Sequence, residues 1–457
     1  MDFETILKIV RSLLTNKEGS ALRKMLEEIN VVDIASIMTE LEPAERLRLF
    51  RIMSKDMSAD VFAYLDSDIQ TDIVKMISDK EVENLVNELF IDDAVDFLEE
   101  VPANIVSRVL KQASPETRAQ INKFLNYPDS SAGSIMTSEM VQLRVDMTAK
   151  DAIDFIRKNG LEKETVYTCY CTDSKHTLLG ALPLLHLLLC DENALVGDIM
   201  QDDKQLISVN THDDREEVAA IVKKYDLLSV PVVDNENRIV GIITVDDIVD
   251  VIEEEATEDF EKMANVQHLE DGYLKTGVFG HVKNRIVWLL VLMVSATFTG
   301  KLIDSFESTL SAVAGLTACI PMLTGTGGNA GTQASTLIVR GLAIGELKPS
   351  DVLKILWKEL RVALICGVIL GGVNVGRMIL LSKISATGSH DITVFLVVSA
   401  ALCCAVTVAK LIGCLLPIGA KLVHLDPALM AGPMLSTIVD LVTLIIYLTL
   451  ATAFLIK

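Results

Sequence analysis

The sequence predicts a multidomain protein built from an α-solenoid, a tandem pair of α/β units, a connector helix and an all-α transmembrane domain of five helices. Three observations carry this. Residues 17 to about 124 repeat every 12 positions, two copies of one α/β pattern follow at an offset of 64 residues, and long apolar segments fill the chain beyond residue 280. The expected boundaries are 1–130, 131–256, 257–281 and 282–457.

Charge is segregated in the same way. The 457 residues carry 41 Lys+Arg against 63 Asp+Glu. From His281 onward there are 13 basic and 8 acidic residues, which leaves 28 and 55, a net of −27, for residues 1–280. So acidic a half argues against nucleic acid as a partner and favours divalent cations, because crowded carboxylates repel until a cation joins them. The start, MDFETILKIVRSLL, has acid where a secretory signal has basic residues, so the soluble half is expected in the cytoplasm. The eight cysteines are scattered without zinc spacing and read as buried free thiols.

In register, the first repeats read LEPAERLRLFRI from Leu41, MSKDMSADVFAY from Met53 and LDSDIQTDIVKM from Leu65. Each opens on an apolar residue, continues with small, polar or Pro residues that suit a turn and N-cap, and carries a second apolar residue eight positions on. That position runs through Leu49, Val61, Ile73, Leu85, Phe97, Val109 and Ile121. One short helix per unit cannot bury its apolar face alone, so the units are expected to stack as a solenoid. Asp92, Asp93 and Asp96 form its densest acidic step.

In the α/β copies, Ile135-Met136 matches Ile199-Met200 and Val145 matches Val209. The second copy predicts a strand at Ser229–Val233, a turn at 234–237, a strand at Ile239–Thr244 and a helix capped near Thr244. Residues 246–259, DDIVDVIEEEATED, follow without one basic residue. Like charges at i and i+4 on a helix repel, so the run is either a solvated face or a holder of cations. The connector then contains EKMANVQHLE and Asp271-Gly272.

Hydropathy predicts spans near 286–305, 309–338, 360–381, 392–418 and 427–455. An odd number puts the termini on opposite sides. Eight Lys/Arg in the inner segments against four outside, Lys457 among them, put the N-terminus in the cytoplasm and the C-terminus outside. The second span contains GTGGNAGTQASTLIVRGLA at 325–343, a poor helix interior. Irregular backbone there would line a water-filled cavity, with neutral oxygens from its carbonyls and from Thr324, Thr326, Asn329, Thr332 and Gln333; close helix packing is the alternative for its glycines. The deep ionisable residues are Lys410 and Asp440, with Ser436 and Thr437 just before the latter. A charge at that depth is a functional-site candidate, and an Asp440–Lys410 ion pair is the structural alternative. One carboxylate is too few for two-metal hydrolysis. It suffices for Mg²⁺, which keeps most of its waters, once a two-fold axis supplies a second Asp440.

These residues resemble the MgtE family of magnesium channels and transporters, over essentially the whole chain. The motifs are YPDSSAGSIMT at the end of the helical domain, two copies similar to CBS domains, GTGGNAGTQASTLIVRGLA, and DPALMAGP…STIVD at 426–440. The resemblance implies a homodimer in the lipid of the cell (inner) membrane, not an enzyme, that passes Mg²⁺ and is closed when cytosolic Mg²⁺ binds its carboxylates. It places Asp440 in the pore, with Asn329, Gln333, Ser436 and Thr437 beside it. It draws the regulatory ligands from Asp92, Asp93, Asp96, Asp214, Glu216, Asp226, Asp247, Asp250, Glu254, Glu255, Glu258, Asp259 and Asp426. The string Gly241-Ile-Ile-Thr244-Val-Asp-Asp247 implies ATP or another adenine nucleotide at Thr244 and Asp247, although Pro183 and His186 stand at the matching places of the first copy. Thr443 stands where the family often has Gly. The competing functions are transport of another divalent cation, such as Co²⁺ or Mn²⁺, and a CBS-regulated membrane enzyme.

Overall fold

The computed structural model describes residues 3–202, 206–267, 273–274, 276–313, 315–384 and 391–456. Asp271-Gly272 of the connector and Lys457 lie outside the described residues. The chain forms two compact units, Met1–Ile252 and Glu253–Lys457.

The first unit begins with helices α1 (Phe3–Asn16), α2 (Gly19–Leu26), α3 (Val31–Thr39), α4 (Pro43–Ile52), α5 (Lys55–Ala63), α6 (Ser67–Met76), α7 (Asp79–Glu88), α8 (Ile91–Glu100), α9 (Ala103–Gln112) and α10 (Pro115–Phe124). From α4 onward each helix starts 12 residues after the last. Ser54, Ser78 and Ser114 cap their helices by accepting a backbone N–H, as the turn chemistry predicts. Both apolar positions of the repeat are buried throughout, Leu41 to Ala113 and Leu49 to Ile121. Alternate helices pack together, α3 on α5, α5 on α7 and α7 on α9, with α4, α6, α8 and α10 in a second row. A polar residue at the sixth repeat position ties the rows. Arg46 donates to the Met38 and Leu41 carbonyls at 2.8 and 3.0 Å, Gln70 to Phe62 at 2.8 Å and Arg118 to Ala113 at 2.9 Å. These carbonyls end a helix or sit in the turn just after it, where intrahelical donors run out.

The α/β pair follows. Strands β1 (Gln142–Arg144), β2 (Thr168–Thr172), β3 (Leu178–Pro183) and β4 (Gln201–Asp202) form one sheet, and β5 (Val209–Asn210), β6 (Ser229–Val233) and β7 (Ile239–Thr244) the other. Helices α11 (Ala149–Asn159), α12 (Leu184–Leu189), α13 (Val196–Ile199) and α14 (Arg215–Tyr225) join them. The copies exchange their leading segments. Gln201 after Met200 pairs with Ala181 of the first copy's β3, while Thr137 after Met136 bridges Ile242 of the second copy's β7. Gly180 and Gly241 make room, since a Cβ on them would meet Met200 and Met136 respectively. The linker 127–134 docks on the second copy: Ala132 donates to the Asp213 carbonyl at 2.8 Å and Gly133 to Thr211 at 3.0 Å.

Helix α15 (Val245–Met263) runs without a break through the expected boundary at 256/257, because that stretch holds no Gly or Pro. The acidic run and the start of the expected connector are therefore one helix, which ends at Met263. Beyond it lie α16 (Val278–Ser305), α17 (Glu307–Ala312), α18 (Leu316–Ala343), α19 (Val352–Ile384), α20 (Ile392–Leu422) and α21 (Gly432–Leu455).

One expectation for this region is refined and another is corrected. Among the described residues four helical segments are long and apolar enough to cross a membrane, Val278–Ser305, Pro349–Lys383, Ile392–Leu422 and Pro427–Leu455. The expected continuous span at 309–338 is instead broken at Gly315, which sits at φ +91°, into α17 and the less apolar α18. Secondly, the glycine-rich stretch is regular helix. Its carbonyls are committed to the helical ladder, so they do not supply the neutral oxygens expected of an irregular backbone.

The glycines serve packing. Helix α18 lies against α20 and α21. A Cβ on Gly327 would lie 2.7 Å from Thr443 Oγ1, one on Gly331 would lie 3.2 Å from the Ala409 carbonyl, and one on Gly413 would collide with the Gly331 carbonyl. Small residues at such crossings let membrane helices approach. Thr443 fills the notch that Gly327 leaves. Tyr447 donates to the Leu316 carbonyl at 2.8 Å and pins α21 to the first turn of α18.

Candidate functional site

Helix α21 is apolar along its length, and Asp440 is its one carboxylate. Ser436 lies one turn earlier on the same face. Both face Gly328 of α18: a Cβ there would sit 3.7 Å from Asp440 Oδ1 and 3.7 Å from Ser436 Oγ. A methyl group at this position would stand in ordinary contact with both side chains, so the bare backbone of Gly328 is what faces the carboxylate. Asp440 is half-buried, and among the described residues it has no hydrogen bond or ion pair. Thr437 lies next to Ser436, but its hydroxyl donates to the Pro433 carbonyl at 2.9 Å. Asn329 and Gln333 sit on the exposed face of α18, one turn apart.

The expected alternative, an Asp440–Lys410 pair, does not form. Lys410 Nζ lies 2.7 Å from Glu359 Oε1, and both side chains are largely buried. Glu359 lies just before the apolar stretch that hydropathy marks from residue 360. Helix α19 begins at Val352, which puts Glu359 inside it. The buried lysine is thus neutralised by its neighbour, and the aspartate on α21 is left without a lysine or arginine partner among the described residues.

A second group of acids gathers in the first unit. Asp92 and Asp93 start α8, and Asp247 starts α15. Asp92 Oδ1 is buried without a partner. Burial, then the charges of Asp93, Asp247, Glu164 and Glu139, push the Asp92 carboxyl well above the usual carboxylate range. Burial and Asp247 raise Asp93 to about 6, and burial with Asp247, Asp246 and Asp93 raises Glu164 to about 7. Asp247 is raised by burial, against the opposing hydrogen bond from Thr244 Oγ1 at 2.5 Å. Asp96, on the same helix, is raised to about 7 by burial and by the charges of Asp93, Glu99 and Asp247. Glu139 and Glu164 were not foreseen, because only folding brings them to α8. Among the described residues no three such side chains are close enough to hold a bare metal ion together. The orphaned oxygen and the all-oxygen donor set fit a hydrated divalent cation, bound partly through its waters.

Asp250 adds its charge to Asp247, and the other candidates of the first unit lie on α14 and at its ends. Asp214 caps α14 by accepting from the Glu216 N–H at 2.9 Å, and Asp226 ends that helix at φ +51°. Asp250, Glu254 and Glu255 are spread along α15. Glu258 and Asp426 share Lys262, whose Nζ lies 2.7 and 2.8 Å from their oxygens. Asp259 is raised by burial and by Asp426. The thirteen acids thus fall into several places. In the first copy of the pair, His186 is exposed on α12, and the eight cysteines are unpaired.

Comparison with known proteins agrees with this layout. A family of divalent cation transporters matches residues 320–450, the MgtE intracellular N domain matches 29–130, and a CBS domain matches 196–254. The magnesium transporter MgtE of Thermus thermophilus is 34% identical over 452 residues, 98% of each chain. This chain belongs to the MgtE family. The Enterococcus faecalis magnesium transporter MgtE is 30% identical over 99% of this chain and 98% of its own. Among solved structures, the soluble part of a magnesium transporter covers 56% of this chain and 100% of its own, at 29% identity and a TM-score of 0.54. The cytosolic domain of the Mg²⁺ channel MgtE in complex with ATP covers 53% and 98%, at 34% identity and a TM-score of 0.50. With these full-length relatives the chain stands among transport proteins and not enzymes. Its architecture is that of the family: a helical N domain, a CBS pair and a helical membrane region.

Proposed function

We propose that this MgtE-family chain passes Mg²⁺ through the cell membrane as a homodimer, and that cytosolic Mg²⁺ closes it by binding the carboxylates of its soluble part. The observation that carries the pore assignment is Asp440: a lone carboxylate on an apolar helix, facing Gly328 of α18, with no protein cation paired to it among the described residues. Two copies related by a two-fold axis would present two carboxylates to one hydrated ion, with Ser436 as a neutral oxygen beside each. On this reading α18 is a fifth crossing, despite its lower hydropathy, and its exposed Asn329 and Gln333 face the second protomer across the ion path. The N-terminus is then cytoplasmic, the C-terminus outside, and the repeat helices wind as a superhelix.

Closure follows from linkage. If cations bind the compact, closed arrangement more tightly than the open one, rising Mg²⁺ shifts the population toward closed. The group around Asp92 suits this task, because its mutual repulsion is relieved only by protons or cations. The ATP complex of a relative and the Thr244–Asp247 pair support an adenine nucleotide at the CBS pair, held by Asp247 through its ribose.

The test is uptake into proteoliposomes. Asp440→Ala should abolish Mg²⁺ uptake while the protein remains a folded dimer, and flux at the wild-type level would refute the assignment. Competition by Co²⁺ or Mn²⁺ that outruns Mg²⁺ would move the substrate to another divalent ion.

A further inference from the structure

Within the second unit the end of α15 meets the start of α21. Gly432 adopts φ +60°, and a Cβ there would collide with the Met263 carbonyl. Met263 packs on Val339, Ala428 and Ala431. Lys262 bridges α15 and the segment that leads into α21. Lys262 Nζ lies 2.7 Å from Glu258 Oε1 on its own helix and 2.8 Å from Asp426 Oδ2 on the other side. The other oxygen of Asp426 accepts from the Ala428 N–H at 2.8 Å, which fixes the carboxylate's orientation.

Without Lys262, Glu258 and Asp426 would face each other as like charges. A lysine ammonium is a compact, strongly hydrated point charge with three donors. It stands between these two carboxylates where a divalent ion would otherwise be needed. We propose that Lys262 is a built-in cation that holds the end of α15 to the start of α21 when no divalent ion is bound. Asp426 is then engaged by the chain itself, and Lys262 lowers the Mg²⁺ concentration at which the path closes. The inference rests on the reading that cations close the path, and its test separates the two.

The test compares Lys262→Met, which keeps the aliphatic stem, with Lys262→Arg, which keeps the charge, in the full-length protein in lipid. Hydrogen exchange is read over 258–264 and 426–432 without Mg²⁺. Lys262→Met should exchange faster than wild type at both segments, and Lys262→Arg should restore most of the protection. In uptake assays Lys262→Met should shift the internal Mg²⁺ giving half-inhibition upward by roughly five-fold, and Lys262→Arg should not. Unchanged Mg²⁺-free exchange in Lys262→Met overturns the proposal. So does equal acceleration in both variants, which would assign the effect to lost packing. If wild-type uptake ignores internal Mg²⁺, the closure reading fails, while the Mg²⁺-free exchange still decides the role of Lys262.

Discussion

Asp440 and Gly413 show how single positions divide function from packing. Asp440 does nothing visible for the stability of its own unit, so its removal should leave folding intact and end transport. Gly413 is the reverse case. A methyl group there has to displace the Gly331 backbone. Gly413→Ala should therefore destabilise the membrane unit by about 1–3 kcal/mol, read as a lower melting temperature in detergent. Gly325→Ala, which meets nothing within 4 Å, should leave melting unchanged. Lys410→Met should cost more, about 3–5 kcal/mol, because it leaves Glu359 buried and unpaired. Lys410→Met with Glu359→Gln should recover much of the loss. Equal melting of Lys410→Met and the double variant would mean that the ion pair contributes little.

At the scale of elements, the 12-residue period of the repeat helices is legible in the sequence. Both buried positions recur every 12 residues, so every unit restates the apolar pattern. The second CBS copy is legible for a similar reason: a short apolar strand, a polar turn and a second apolar strand stand in one short stretch. The glycine-rich helix was misread. Glycine is a poor helix former in water, but here the requirement is close approach of α20 and α21, and tertiary packing overrides the propensity. Glu359 was missed because hydropathy marks where a span becomes apolar and not where its helix begins. Helix α15 carries this scale's prediction. Neutralising Asp250, Glu254 and Glu258 together should leave Mg²⁺ uptake high at internal concentrations that inhibit the wild type. Unaltered inhibition would return the run to a solvated face.

For the whole molecule the governing quantity is the charge of the soluble half. No spacing in the sequence brought Glu139 and Glu164 beside Asp92 and Asp93, since their meeting depends on the docked CBS pair. The raised carboxyls there give a signed pH dependence. A carboxyl whose folded pKa lies above its unfolded value destabilises the fold once it ionises. Without Mg²⁺, stability should therefore fall as pH rises through about 6 for Asp93 and about 7 for Glu164. Millimolar Mg²⁺ should offset the fall, and more strongly at the higher pH, where the sites are free of protons. Melting curves of the full chain with and without Mg²⁺ read this directly, and Asp92→Asn should flatten the Mg²⁺-free dependence.

The central claim joins a conducting Asp440 to an acidic cytosolic half that senses the same ion. It is tested most directly by Mg²⁺ flux into proteoliposomes bearing the full-length protein with its soluble half on the Mg²⁺-clamped side. The account predicts rapid uptake when that side is free of Mg²⁺, strong inhibition when it holds millimolar Mg²⁺, and no uptake by Asp440→Ala under either condition. Uptake by the wild type that is equal at both concentrations, or uptake that survives in Asp440→Ala, would contradict it.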